Sequence, residues 1–226
     1  MTNKSTSFIE NKSQLIHYFN EGIKKDTNLR IGVEHEKFLF NKKDLKRIDY
    51  EKIKKVFELL KNNGWELQYE KDKIIGLKRK NQKITTEPGF QYELSGAPFK
   101  NIHLVCSENS SHFNELKEVF SSASITTSSI AYDPFNKLIE IPKSPKERYK
   151  IMTSEMPKGG KLSLDMMYKT AGIQINYDYT SEEDFEKKFK IGNYLAPLTI
   201  ALFANSPFYE NKLSGFLSYR GKVWQE

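Results

Sequence analysis

The sequence is poor in cysteine, in arginine and in long apolar runs, and each shortage excludes a class of protein. Cys106 is its one cysteine, so neither an intrachain disulfide nor a multi-cysteine zinc cluster can form. No uninterrupted apolar stretch approaches the roughly 20 residues that span a bilayer, and the N-terminal "MTNKSTSFIENKSQ" has no apolar signal core. A cytoplasmic protein with no membrane partner is the resulting expectation. The net charge of +7 would attract phosphates or nucleic acid. Yet only five of the 36 basic residues are arginine, the side chain on which base reading leans. The densest basic stretch, "NKKDLKRIDYEKIKK", is interleaved with Asp44, Asp49 and Glu51. It reads as a solvated face, and no nucleic-acid partner is expected.

Familiar site signatures are missing as well. "PKGGKLS" lacks the spacing of a phosphate-binding glycine loop, no dinucleotide fingerprint follows a strand, and "VEHEKFL" lacks the second histidine of a zinc-protease helix. There is no internal repeat, low-complexity tract or obvious linker, so residues 1–226 read as one domain. Helical spacing predicts a short helix over 7–25. A clearer one over 50–63 carries Ile53, Val56, Phe57 and Leu60 inward and has Gly64 as its C-terminal cap. A long helix over 101–123 is expected to turn Ile102, Val105, Cys106, Phe113, Leu116 and Phe120 inward, which makes Cys106 a buried core thiol. Ser181, followed by Glu182, Glu183 and Asp184, marks a further helix start. Short strands fall between these helices without a strict βαβ rhythm, so the expected class is α+β with a largely antiparallel sheet.

What the sequence does contain is a repeated pattern of oxygen-rich strand faces. In "RIGVEHEKFLF" Glu34 and Glu36 point the same way, roughly 7 Å apart along a strand, with Ile31, Val33 and Leu39 on the opposite face. In "ITTEPGFQYELSG" Gln91 and Glu93 share a face and Glu87 stands just before the Pro88-Gly89 break. In "AGIQINYDY" Gln174, Asn176 and Asp178 share another. A solvated sheet would also alternate, but these faces carry little lysine in a lysine-rich chain. Carboxylates and amides on one floor suit a hard cation such as magnesium, held together with substrate phosphates.

These blocks, with "RYKIM", "SLDMMYKTAGIQINYDYTSEEDFEKKFKIG", "ALFANSPF" and "GFLSYRGKVW", resemble in order and approximate spacing the plant-type glutamate-cysteine ligases, from about residue 29 onward. The resemblance implies a glutamine-synthetase-like fold: an antiparallel sheet forming an open funnel, helices on its outer face. It implies a single ligase catalytic domain over 1–226 that is incomplete at its C-terminus, because family members continue further. It also implies ATP and Mg2+ as cofactors and L-glutamate and L-cysteine as substrates. The reaction joins the γ-carboxylate of glutamate to the amine of cysteine through an acyl phosphate, the first step of glutathione synthesis. Carried over residue by residue, Glu34 and Glu36 become catalytic metal ligands, completed by Glu87 and Glu93. Arg148 and Arg220 would grip substrate glutamate, with Gln91, Gln174 and Asn176 supporting the ligands or orienting substrate. Met152, Met156, Met166 and Met167 are either pocket lining or core filler, and a homodimer is an open expectation. Two alternatives stand beside this reading: a glutamate- and ATP-binding relic without turnover, and a carboxylate-amine ligase that uses another amine.

Overall fold

The computed structural model describes residues 8–226. The long strand β1 (Ile31–Asn41) is the spine of the molecule. Helix α1 (Lys12–Asn20) precedes it and α2 (Tyr50–Leu60) follows. A meander of β2 (Glu66–Glu70), β3 (Lys73–Arg79), β4 (Gln82–Thr86) and β5 (Tyr92–Ser95) comes next. The long helix α3 (Ile102–Ser122) leads to β6 (Ile125–Ser128). Helices α4 (Glu147–Glu155) and α5 (Ser163–Lys169) lead to β7 (Ile173–Tyr177) and α6 (Glu182–Leu202). A small hairpin, β8 (Phe208–Tyr209) and β9 (Lys212–Leu213), precedes α7 (Tyr219–Val223).

Seven strands form one sheet in the order β2-β3-β4-β5-β1-β6, with β7 also on β1. Every pairing between its named strands is antiparallel, and the sheet does not close into a barrel. The α+β expectation therefore holds.

Alternation along β1 divides the molecule. Leu39 faces the main core, where Ile53, Val56, Phe57 and Leu60 of α2 and Leu116, Val119 and Phe120 of α3 cover Leu77, Ile84, Tyr92 and Leu94 of the sheet. Helix α2 forms where the apolar spacing predicts it. The Asp49 side chain accepts from Lys52 N at its start, and Gly64 adopts the left-handed φ of +80° that a residue with a Cβ resists. Ser181 likewise caps α6, accepting from Asp184 N.

Helix α3 departs from expectation. Its buried arc is Val105, His112, Leu116, Val119 and Phe120. Cys106 is exposed, and so are Ile102 and Phe113. His112 turns inward because the core offers it polar partners: Tyr92 Oη lies 3.2 Å from its Nε2 and Glu115 Oε2 lies 3.5 Å from its Nδ1. Glu115 also accepts from Trp65 Nε1 at 3.3 Å and from Arg79 at 2.5 Å.

Candidate active site

The opposite face of β1 carries Glu34 and Glu36 as predicted, and the strand register brings further acids to them. Glu36 stands directly across from Glu93 of β5. Like charges in facing positions destabilise a sheet, so this pairing has a cost that a bound cation would remove. Glu87 joins them through a tight turn. Phe90 N donates to the Glu87 carbonyl at 2.9 Å and Glu87 N to the Gln91 carbonyl at 2.9 Å, and Phe90 takes a positive φ of 58° to close it. The Gln91 side chain braces that turn: its Oε1 accepts from Gly89 N at 2.9 Å, and its Nε2 donates to the carbonyls of Thr170 at 2.9 Å and Met167 at 3.2 Å. Gln91 is thus a buried support of the turn rather than a free amide on the open face.

Burial and neighbouring charge leave Glu36 and Glu87 reluctant to ionise. Burial pushes Glu36 up to about 7, with Glu87 and Glu93 adding to the rise, while the Gly172 N–H, donating at 2.7 Å, and Arg220 oppose it. Glu87 is also raised, first by burial and then by Glu93. Two cations temper the cluster. Buried Lys146 donates from Nζ to the Thr86 carbonyl at 2.8 Å and acts electrostatically on Glu87 and Glu93. Arg148 lies 3.8 Å from Glu87 Oε1, its guanidinium over the Tyr149 ring. The Tyr149 hydroxyl accepts from Arg148 at 2.6 Å and lies within donating distance of Glu87 Oε1 at 3.1 Å.

Arg220 arrives from α7 and is left uncommitted. Its Nε is buried without a partner, and among the described residues its guanidinium donates no hydrogen bond. It rests over the Trp224 ring at 5.3 Å, one helical turn on, and against Gly172, where an added Cβ would come within 3.2 Å of Nη2. Helix α7 is anchored by a buried ammonium. Among the described residues Lys169 Nζ has no hydrogen-bond partner; it sits 4.8 Å over Tyr132 and 5.0 Å over Tyr209, and both rings pack against Tyr219, the residue before Arg220. A cavity of about 450 Å³ lies beside Trp224, lined by Met156, Ser163 and Met166. Met167 and Met152 belong to a separate small core with Ile141, Tyr149 and Tyr168.

Glu34 is set apart from the Glu36 cluster. It faces Gln174 of β7 and accepts from Asn176 Nδ2 at 3.3 Å. Asp178 accepts from Arg30 N at 3.0 Å and holds the start of β1. Sequence reasoning missed Lys146, Tyr149, Gly172 and Trp224. For Trp224 the signal was its spacing four residues after Arg220; for Lys146, its place two residues before Arg148.

Among the described residues no three acidic, histidine or cysteine side chains converge as a ready-made metal cage. The donor chemistry nonetheless fits a hard cation. Glu36, Glu87 and Glu93 supply oxygen only, and burial together with mutual repulsion raises Glu36 and Glu87 above the usual carboxylate range, a strain that a cation would relieve. An antiparallel sheet with acids on one face and an arginine beside them, its side chain donating no hydrogen bond among the described residues, defines a class of densely charged site.

Comparison with known proteins gives that class its family. Residues 30–226 match the glutamate-cysteine ligase family 2 (GCS2), and the chain belongs to it. It is 43% identical over 216 residues to glutamate-cysteine ligase A, chloroplastic, of Oryza sativa subsp. japonica, covering 95% of this chain and 44% of that protein. It is 44% identical over 216 residues to the chloroplastic glutamate-cysteine ligase of Arabidopsis thaliana, covering 95% and 41%. The Medicago truncatula protein of the same name is 43% identical over 216 residues, covering 95% and 42%. The chain thus spans less than half the length of these relatives.

The cytoplasmic expectation is withdrawn, since these relatives are chloroplastic. It rested on the lack of an apolar leader, whereas plastid-targeting segments are polar and serine-rich, so that lack assigns no compartment. Among the described residues no helix is long and apolar enough to cross a membrane.

Proposed function

We propose that this site serves ATP-dependent ligation of the L-glutamate γ-carboxylate to the amine of L-cysteine, the first step of glutathione synthesis, within one catalytic domain. The observation that carries the reading is the facing pair Glu36 and Glu93, with Glu87 beside it and the uncommitted Arg220 next to Glu36. Support also comes from family membership and from the names of the relatives. The open face of the sheet would be the funnel floor of a glutamine-synthetase-like fold.

In this reading the chain contributes charge and orientation. The planar fork of Arg220 grips a glutamate carboxylate bidentately, which a lysine cannot do. Arg148, poised 3.8 Å from Glu87, takes a second anionic group. Glu36, Glu87 and Glu93 would hold Mg2+, Glu34 would extend the set, and Gln174 and Asn176 would orient what binds beside it. Magnesium, when bound, neutralises the charge on the phosphate oxygens of ATP. The γ-carboxylate oxygen attacks the γ-phosphorus, ADP departs, and the acyl phosphate remains. The cysteine nitrogen then attacks the acyl carbon, phosphate leaves, and the nitrogen loses a proton. The residues act chiefly by placing two anions in line.

The test is ADP release by the purified chain with ATP, Mg2+ and L-glutamate, with and without L-cysteine, alongside L-glutamate binding by calorimetry and sedimentation for the expected homodimer. Release that requires both amino acids supports the ligase. Release with another amine moves the reading to a different amine substrate, and binding without release moves it to a glutamate-binding protein. Failure to bind L-glutamate sinks all three.

A further inference from the structure

A stretch of the molecule that the site does not use, residues 173–202, is apolar and uncovered. Helix α6 runs for 21 residues with none of them buried, although helices in water owe most of their stability to a packed face. Its apolar residues form two stripes. Phe185, Phe189 and Ile200 recur on one side, which approaches the body: Phe185 meets the Tyr179 ring at 5.3 Å, and Ile200 lies close to Gly221 of α7. Ile191, Tyr194, Leu195, Leu198 and Leu202 follow the i, i+3, i+4, i+7, i+11 pattern of a second stripe, on the far side of the helix. That stripe faces solvent, with Tyr194 83% and Leu202 68% exposed. A helix apolar on both sides is one that is covered on both sides.

Strand β7 repeats the pattern. Among the described residues it pairs with β1 alone, which leaves its other edge open to them, and Ile173, Ile175 and Tyr177 line one exposed face of it. Open edges and contiguous apolar patches mark surfaces that take a partner. The chemistry of that partner follows from the surface. Leucine, isoleucine and tyrosine at helical and strand spacing recognise folded polypeptide, and the relatives carry more than half of their length outside the 216 matched residues.

We propose that the outer stripe of α6 and the apolar row of β7 form one docking surface for polypeptide homologous to the part of the relatives that this chain does not match. The inference rests on family membership and exposure, not on the ligase reading.

The experiment mixes the 226-residue chain with the segment of the Arabidopsis thaliana relative that follows its matched stretch, and measures hydrogen exchange and sedimentation. A second arm fuses that segment after Glu226. We expect amide exchange in residues 173–202 to slow at least about tenfold in both arms, and the chain alone to exchange fast there. The double substitution Leu195→Asp with Leu198→Asp should abolish the protection while leaving the unfolding midpoint of the chain alone unchanged, because both side chains are already half exposed. Fast exchange of 173–202 in the fused chain overturns the proposal. So does undiminished protection in the double variant. Slow exchange in the chain alone, accompanied by dimerisation, overturns it too and assigns the surface to a second copy.

Discussion

Replacing Glu36 by glutamine should stabilise the metal-free protein, and the gain should depend on pH. The substitution keeps the shape and an acceptor for the Gly172 N–H, at 2.7 Å from the present carboxylate, while removing a charge that faces Glu93 across the strand pair. A rise from the ordinary 4.5 to about 7 corresponds to about 3 kcal/mol at pH above 7. The sign follows from proton binding. The folded chain holds the Glu36 proton more tightly than the unfolded chain, so stability is greatest below 4.5, falls between 4.5 and about 7, and stays low above. Glutamine escapes that fall. In EDTA at pH 8 the variant should therefore unfold about 2–3 kcal/mol later than the parent, roughly 5–10 °C in a chain of this size, and the two curves should converge near pH 5. Magnesium at pH 8 should stabilise the parent more than the variant, which offers one carboxylate fewer. Urea unfolding at four pH values, with and without magnesium, measures all of this. A variant less stable than its parent at pH 8, or a difference that does not change with pH, would refute the account of the cluster as repelling, desolvated acids.

Arg220→Lys should weaken L-glutamate binding about ten- to hundredfold, the loss of one charge-assisted hydrogen bond, with the unfolding midpoint unchanged; calorimetry reads both the affinity and its absence of structural cost. Gly172→Ala should weaken the same binding less, since its Cβ would displace Nη2 from a 3.2 Å approach. Arg47→Met should destabilise the fold by about 3–5 kcal/mol in urea, because Asp133, fully buried and paired with Arg47 at 3.4 Å, would lose its counter-charge. Cys106, exposed on α3, should react completely with a thiol reagent in the native protein; a reaction that requires denaturant would return it to the core.

Local features were legible where neighbouring residues decide them. The spacing of Glu34 and Glu36 put both on one strand face, Gly64 ended its helix, and Ser181 capped α6. Features set by distant pairing were not. Nothing local says that Glu36 lies opposite Glu93, that Gln91 spends its amide on Met167 and Thr170, or that Arg220 comes to Gly172. Cys106 shows how hydropathy misleads on a helix with two apolar arcs. Of the six residues expected inward, Val105, Leu116 and Phe120 are, on an arc that also brings His112 to the Tyr92 hydroxyl and to Glu115, whereas Ile102, Cys106 and Phe113 lie on a second arc that stays exposed.

The two faces of β1 treat polar groups in opposite ways, and the difference separates a supporting layer from a working one. On the helix side burial weakens the hold of the basic groups on their protons. His35 is held neutral at about 4, Lys37 is lowered to about 8, and His112 is lowered as well. The acid there, Glu115, is satisfied by Arg79, Trp65 and His112 and driven down to about 2. The Glu115 network is closed and rigidifies the core, while His35 Nε2 and Lys37 Nζ lie buried beside it without a hydrogen-bond partner among the described residues. On the other face the acids are only partly compensated: Glu36 accepts from Gly172 N, Glu93 from Ser95 Oγ, and Glu87 lies beside the Tyr149 hydroxyl. Glu36 and Glu87 are raised by burial and by their neighbours, and Arg220 keeps a buried Nε without a partner. A protein tolerates such uncompensated groups chiefly where a bound charge completes them. Here the incomplete groups have both signs: acids that call for a cation, and beside them an arginine that calls for a carboxylate. The Glu115 network beneath β1 braces the strand that keeps that pair of demands within one site.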